Sequence, residues 1–286
     1  MRMRDWDDHR LVLTLHRQGT LRASGDALGV THTTIARRLA AIEAKEPTPL
    51  FTRLGRAYQA TEYGLERVAV AKQMEALDHA ATRLQRRSGD TLSGPLSLSI
   101  PQAVLQYLLL RDIGDFAQRY PHIELTIVGT DQLADLDRGD ADVVIRGQAN
   151  PPGHLVGRKI CDVTTHHYAH RDYLDTTRPE DRKWIAADKQ SDWIADSPFP
   201  DCPVGIIMPD IQSRFLALAS GQGLSRAACF MAEPHPDLVR LDSRPGMPLY
   251  GLWVLTHPDL KASPKVKALM RAMTDALSRQ KALIAA

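Results

Sequence analysis

Apolar residues near the start of the chain recur at helical spacing in three short runs divided by turn residues. From His9 to Gln18, Leu11, Val12 and Leu15 share one helical face, and Gly19 stops the run. Thr20 can cap a second helix, Leu21 to Leu28, ended by Gly29, a residue type that accepts the left-handed backbone of a tight turn. Thr31 can cap a third, running to Glu43, with Ile35, Leu39 and Ile42 on its inner face and Thr33, Thr34, Arg37 and Arg38 left outward. Two short helices joined by a Gly-containing turn, the second polar and basic on its outer face, form the geometry that places a helix in the major groove of DNA. Glu46-Pro-Thr-Pro then breaks the helix, and Leu50 to Thr61 reads as two extended pieces around Gly55. This is a wing, with Arg53 and Arg56 on or beside its tip.

From Glu62 to Ser88 there is no proline, and Val70, Met74, Leu77, Ala81 and Leu84 alternate at spacings of four and three. So narrow a stripe calls for a partner helix from a second subunit. Ser88 to Pro95 reads as a hinge. Beyond it strands alternate with helices: Leu96–Ile100, Val104–Arg119, Ile123–Val128, a short helix Gln132–Arg138, and the strand Ala141–Ile145. That order predicts a parallel α/β sheet. A second round follows, with strands at Asp162–His170 and Val204–Met208, a helix at Gln212–Ser220, strands near Leu238–Leu241 and Leu252–Thr256, and an amphipathic helix from Lys265 onward. The segment Arg178–Pro203 carries no clear period. The fold class is α+β overall.

At 286 residues the chain has room for a small module and a larger core. Residues 1–89 carry 15 Lys and Arg against 10 Asp and Glu, net +5, and the rest carries 21 against 24, net −3. The positive charge therefore sits with the module suited to phosphate. No apolar run reaches the roughly 18 residues of a membrane span, and the start lacks the apolar stretch of a signal peptide. A cytoplasmic protein with no membrane partner is expected. Cys161, Cys202 and Cys229 stand far apart with no Cys-x-x-Cys pair, which points to free thiols.

With these elements in place the sequence resembles the LysR-type transcriptional regulators along essentially its whole length. In residues 6–64 the resemblance is carried by Trp6-Asp-Asp, Gly19-Thr-Leu, Ala27-Leu-Gly-Val, Thr34-Ile-Ala-Arg-Arg-Leu-Ala-Ala-Ile-Glu, Leu50-Phe-x-Arg and Thr61-Glu-x-Gly64. Further on it is carried by Gly94-Pro-Leu-Ser-Leu-Ser-Ile-Pro, Phe116-x-x-x-Tyr-Pro-x-Ile-Glu-Leu, Asp135-Leu-x-x-Gly-x-Ala-Asp-Val-Val-Ile-Arg146 and Leu252-Trp-Val-Leu-Thr-His-Pro-Asp-Leu260. The resemblance implies a winged helix-turn-helix over 1–61, a dimerising linker helix over 62–90 and an effector domain over 91–286. That domain would hold two α/β subdomains similar to periplasmic solute-binding proteins, the first about 91–159 and 258–286, the second about 160–257. It also implies an operator in double-stranded DNA, a small-molecule effector, self-association to a dimer and on to a tetramer, and RNA polymerase as a further candidate partner. The sequence departs from the family where Thr31-His32-Thr33 replace a common Ser-Gln start of the recognition helix, where Ser24-Gly25 replace an Ala pair, and where Glu46-Pro-Thr-Pro replaces a Gly-containing turn.

The candidate DNA contacts are Thr31, His32, Thr33, Thr34, Arg37, Arg38, Arg53 and Arg56. An arginine fork suits guanine edges and phosphates alike, although Arg37 and Arg38 could instead pair with Glu43 or Glu46, and Thr31 can serve simply as a cap. For the effector, strand ends and helix starts nominate Pro101, Gln102, Thr130, Arg146, Asp210 and Gln212. Arg146 suits a ligand carboxylate or an internal pair with Asp135 or Asp142. Adjacent strand residues point to opposite faces, so His166 and His167 are not expected to share a metal. There is no Gly-x-Ser-x-Gly elbow, paired catalytic carboxylate or phosphate loop, so neither catalysis nor a cofactor is expected. The rival reading is a solute-binding protein with an appended helical module; a third, an α/β enzyme carrying a DNA-binding domain, lacks a nucleophile.

Overall fold

In the computed structural model, which describes residues 6–87 and 92–286, helix α1 (Trp6–Gln18) ends at Gly19 and α2 (Leu21–Leu28) begins under the cap of Thr20, whose side chain accepts from Ala23 N. Helix α2 closes on Gly29 at φ 68°, and α3 (His32–Glu43) follows. Gly25 belongs to this turn, because a Cβ there would stand 2.6 Å from the Val30 carbonyl oxygen. The interior glycine that weakens α2 as a helix thus lets α3 approach it. Leu11, Leu15, Ile35 and Leu50 are fully buried at the centre of this module. Truncating any of them to alanine would cost about 2–5 kcal/mol. Strands β1 (Phe51–Leu54) and β2 (Ala57–Ala60) pair antiparallel as the wing, and α4 (Glu62–Arg87) follows.

Helix α4 packs on the module through Val68 and Ala71, both buried, while Val70, Leu77 and Leu84 are exposed, Leu77 at 71%. The expected hinge Ser88–Pro95 and the boundary at residue 90 fall wholly or partly on residues 88–91, outside the described residues. The chain divides into two units, Met1–Gln85 with Asp137–Gly139, and Arg86–Leu136 with Asp140–Ala286.

In the second unit, β3 (Gly94–Ile100) leads into α5 (Gln102–Val104), which continues through a π-turn at Leu105–Leu109 into α6 (Leu110–Arg119). Strands β4 (Ile123–Gly129), β5 (Val143–Gly147) and the 15-residue β6 (Val156–His170) come next. Then follow α7 (Arg171–Thr176), β7 (Trp184–Ala186), β8 (Val204–Ile207), α8 (Ile211–Ala219), β9 (Leu224–Ala228), α9 (Cys229–Ala232), β10 (Leu238–Arg240), β11 (Met247–Thr256), α10 (Pro264–Arg279) and α11 (Lys281–Ile284). Among the described residues the strands after the wing join one sheet in the order β4-β3-β5-β11-β6-β9-β7-β8, with β10 beside β6.

The strands first expected to form a parallel sheet do so, β3 pairing parallel with β4 and β5, but the sheet they belong to is mixed as a whole. Pairing is parallel for β4-β3-β5 and β9-β7-β8, but β11 and β6 pair antiparallel with each other and with β5 and β9 respectively. The two long strands thus run through both halves of the sheet. The short helix expected at Gln132–Arg138 is absent. Thr130 Oγ1 accepts from Gln132 N, and Asp140 Oδ2 accepts from Asp135 N, side-chain bonds that compete with a helical ladder. Strands β7 and β9 and helix α9 escaped the sequence pattern, and the terminal helix breaks at Gln280, whose Nε2 donates to the Leu108 carbonyl at 2.7 Å. Arg279 pairs with Asp112 beside it, so α10 docks on α6. No helix among the described residues is long and apolar enough to cross a membrane.

Candidate DNA interface and effector cleft

The outer face of α3 follows from its inner one. With Ile35, Leu39 and Ile42 buried, Thr31, His32, Thr33 and Arg37 are exposed. Thr31 caps the helix by accepting from Thr34 N at 3.3 Å, and its hydroxyl lies 2.9 Å from those of both Thr33 and Thr34. The three hydroxyls therefore form one linked group at the start of α3. Arg38 is half-buried and pairs with Asp8 of α1 at 3.3 Å. The acids at the far end of α3 have other tasks: Glu43 accepts from the backbone of Leu50 and Phe51, and Glu46 from the Tyr63 hydroxyl while pairing with Arg67. Arg37 and Arg38 thus differ, the first projecting and the second tied to α1.

The wing turns at Gly55, and Arg53 and Arg56 are both exposed beside it. Arg53 Nε donates to the Gly55 carbonyl at 2.9 Å, which holds its side chain along the turn. Tyr58 N donates to the Gly19 carbonyl at 2.7 Å, fastening the wing to the turn between α1 and α2. No sequence pattern announced that bond.

In the second unit a cleft of about 310 Å³ opens at the carboxyl ends of β3, β4 and β5. Pro101, Thr130, Arg146 and Asp210 line it, drawn from four separate segments. Gln102 does not; it is exposed on the first turn after β3, and Gln212, the second residue of α8, keeps its Nε2 buried without a partner and does not line the cleft either. Arg146 is 8% exposed. Asp142, weighed as its internal partner, uses Oδ2 to accept both the backbone N and the hydroxyl of Ser97 at 2.8 Å. Asp210 caps α8 by accepting from Ser213 N at 2.7 Å, and the bonds from Ser213 hold its carboxyl below the usual range.

Sequence reasoning missed Tyr250, Asp131 and Ser99, which also line the cleft. Tyr250 packs on Gly147, where a Cβ would stand 2.2 Å from its ring, so only glycine admits the tyrosine there. Burial pushes the Tyr250 hydroxyl up, and Asp131 adds to the effect. Extending the last predicted strand back through Leu249-Tyr250-Gly251 would have found it.

The two histidines lie apart. His167 stacks on Trp193 at 5.4 Å between centroids and faces Trp184 edge-on, whereas His166 meets Tyr168 edge-on. Burial lowers both imidazoles below their ordinary value. Cys161, Cys202 and Cys229 are free.

A helix-turn-helix with a hairpin wing is thus followed by a second unit built on a mixed sheet with helices packed against it. Residues 6–65 match the pattern "Bacterial regulatory helix-turn-helix protein, lysR family", and residues 89–278 match "LysR substrate binding domain". The chain belongs to the LysR family. An HTH-type transcriptional regulator of Xanthomonas campestris is 27% identical over 178 residues, 60% of this chain and 50% of the relative. The chain spans about half the length of the curated relatives it matches. Among solved structures, the full-length virulence activator AphB of Vibrio cholerae superposes with a TM-score of 0.57 at 18% identity, covering 95% of this chain and 99% of that one. Full-length LysG of Corynebacterium glutamicum with bound effector Arg gives 0.51 at 21%, covering 96% and 98%. These likenesses concern the fold.

Proposed function

We propose that the chain is a sequence-specific DNA-binding transcriptional regulator whose operator binding changes when a small molecule occupies the cleft around Arg146. The observation that carries this reading is the outward face of α3, where His32, Thr33 and Arg37 project from a helix whose inner face is locked in the module core. In this reading Arg37 contacts base edges, Arg53 and Arg56 hold the phosphate strand, and Arg38 chiefly positions α3 against α1. Thr31 and Thr34 serve the cap. The exposed stripe Val70, Leu77 and Leu84 pairs with α4 of a second subunit, and dimers associate to a tetramer. Ligand closure of the cleft shifts the population between two placements of the paired DNA-binding units.

The protein acts in the cytoplasm, without cofactor or catalytic turnover, with RNA polymerase as the partner of the bound regulator. A free-standing solute-binding role is not favoured, since it gives the recognition helix nothing to do. The test is a mobility shift on DNA upstream of the protein's own gene and of its divergent neighbour, titrated with salt. Specific retardation that Arg37→Ala with Arg38→Ala abolishes supports the reading; absence of binding at low salt sinks it.

A further inference from the structure

The two halves of the second unit's sheet, β4-β3-β5 and β9-β7-β8, are joined by the ribbon of β6 and β11, and the segment after α10 adds a further tie. Helix α10 lies on the first half, against α6 and the π-turn, whereas α11 lies on β6 and on α9, which continues from β9 of the second. The break between them falls at Gln280. Its Nε2 donates to the carbonyl of Leu108, a residue of the π-turn, and the neighbouring Arg279 pairs with Asp112. Two helix irregularities therefore meet through one side chain, and π-turns mark places where a helix departs from its regular ladder for a purpose. This π-turn belongs to the helix that starts beside Pro101, in the wall of the cleft.

Beyond the break the chain is held at few points. Ile284 is fully buried, while Lys281, Ala282 and Ala285 are exposed. Thr164 Oγ1 of β6 donates to the Ile284 carbonyl at 3.0 Å and to the main-chain oxygen of Ala286 at 2.9 Å, and the Cys229 thiol donates to that same oxygen at 3.5 Å. Gly246 admits the segment, because a Cβ there would stand 2.5 Å from the Ala286 oxygen and 3.0 Å from the Thr164 Cβ. Four residues are too few to hold a helix without such contacts. An element with one buried anchor and a handful of bonds opens at a lower free energy than the sheet beneath it. Cys229, 0% exposed, lies directly under Ala286 and would be uncovered by that opening.

We infer that Lys281–Ala286 is a releasable strap. Hinged at Gln280, it ties the second half of the sheet to the helix that begins at the cleft, limits the twist of the β6–β11 ribbon, and comes away as one piece while the sheet stays folded.

The experiment treats the full chain with N-ethylmaleimide under native conditions, follows each cysteine by peptide mass, and needs neither DNA nor a cleft ligand. Half-buried Cys202 is the control, and Cys161, 7% exposed in β6, reports opening of the sheet itself. T164V removes the hydroxyl that holds the strap, Q280A removes the hinge bond, and G246A pushes on the strap without removing a bond. Each should speed labelling of Cys229 by about tenfold and leave Cys161 and Cys202 at the parent's rates. Q280A, which alters neither strand of the ribbon, should also quicken amide hydrogen exchange over Met247–Trp253, where the pairing is irregular. A Cys229 rate unchanged in all three variants overturns the proposal. So does Cys161 rising together with Cys229, which marks opening of the whole sheet, and so does ribbon exchange that stays at the parent's rate in Q280A, which shows that the strap restrains nothing.

Discussion

The candidate DNA contacts of the first unit fall within one short stretch from Thr31 to Arg56, whereas the cleft of the second unit gathers Ser99, Thr130, Arg146, Asp210 and Tyr250 from across the chain. The first is chiefly a local construction: one helix, one cap and one hairpin set the projecting side chains, Arg38 being tied besides to Asp8 of α1, and replacing an outward residue leaves the inner face intact. The second is made by strand order, and several of its walls also pack the sheet. Function and stability are therefore separable on α3 and entangled at the cleft.

The sharpest test of that separation is Arg37→Ala. It should weaken operator binding by about 1–3 kcal/mol, roughly five- to 150-fold, while the thermal midpoint stays within about 1 °C of the parent. Arg38→Ala should cost less at DNA and more in the fold, because its partner is Asp8. If the two substitutions behave alike in both assays, the distinction drawn between them fails. At the cleft, Gly147→Ala should displace Tyr250, lower stability by about 1–3 kcal/mol and abolish any effector response, while the DNA-binding unit keeps its operator affinity. A midpoint unchanged by this substitution would show that the ring has somewhere else to go. Thr31→Ala removes a cap that also links Thr33 and Thr34, and should cost about 1 kcal/mol of stability by denaturant unfolding.

The smallest effect concerns pH. Burial holds the His167 imidazole below its ordinary value, so the native state binds fewer protons than the unfolded one at mildly acidic pH. Its contribution is intact above about pH 6.5 and is lost as the pH falls below that. His167→Phe, which preserves the stacking on Trp193, should flatten the decline of the midpoint between about pH 6.5 and 5. His166 shifts in the same direction, so some slope should remain.

The same contrast explains what could be read from the sequence. Thr20, Gly29, Thr31 and Gly55 mark the first module residue by residue because caps and turns are local chemistry. The strands β3 and β4 were equally plain. What escaped was set by partners distant in sequence. The three-residue β7 shows no period of its own and exists because Trp184 and Ile185 are sandwiched between β8 and β9. The mixed sheet could not be foreseen from the alternation of elements, since antiparallel pairing of β6 with β11 depends on where two long strands cross. Four of the six cleft candidates line the cleft because strand ends are a general rule for ligands; Tyr250 was missed because its strand begins earlier than the apolar pattern suggested.

Strands β6 and β11 pass through both halves of the ligand domain as a two-stranded ribbon, with register shifts between Pro248 and Tyr250 and between Leu252 and Trp253. Such a ribbon resists stretching but yields in twist, and irregular pairing concentrates the yielding. A molecule gripped by the cleft would therefore turn one half about the ribbon instead of drawing the halves together along it. Under the proposed function the domain would then work as a torsion bar, and the angle it sets would be the quantity a ligand can write.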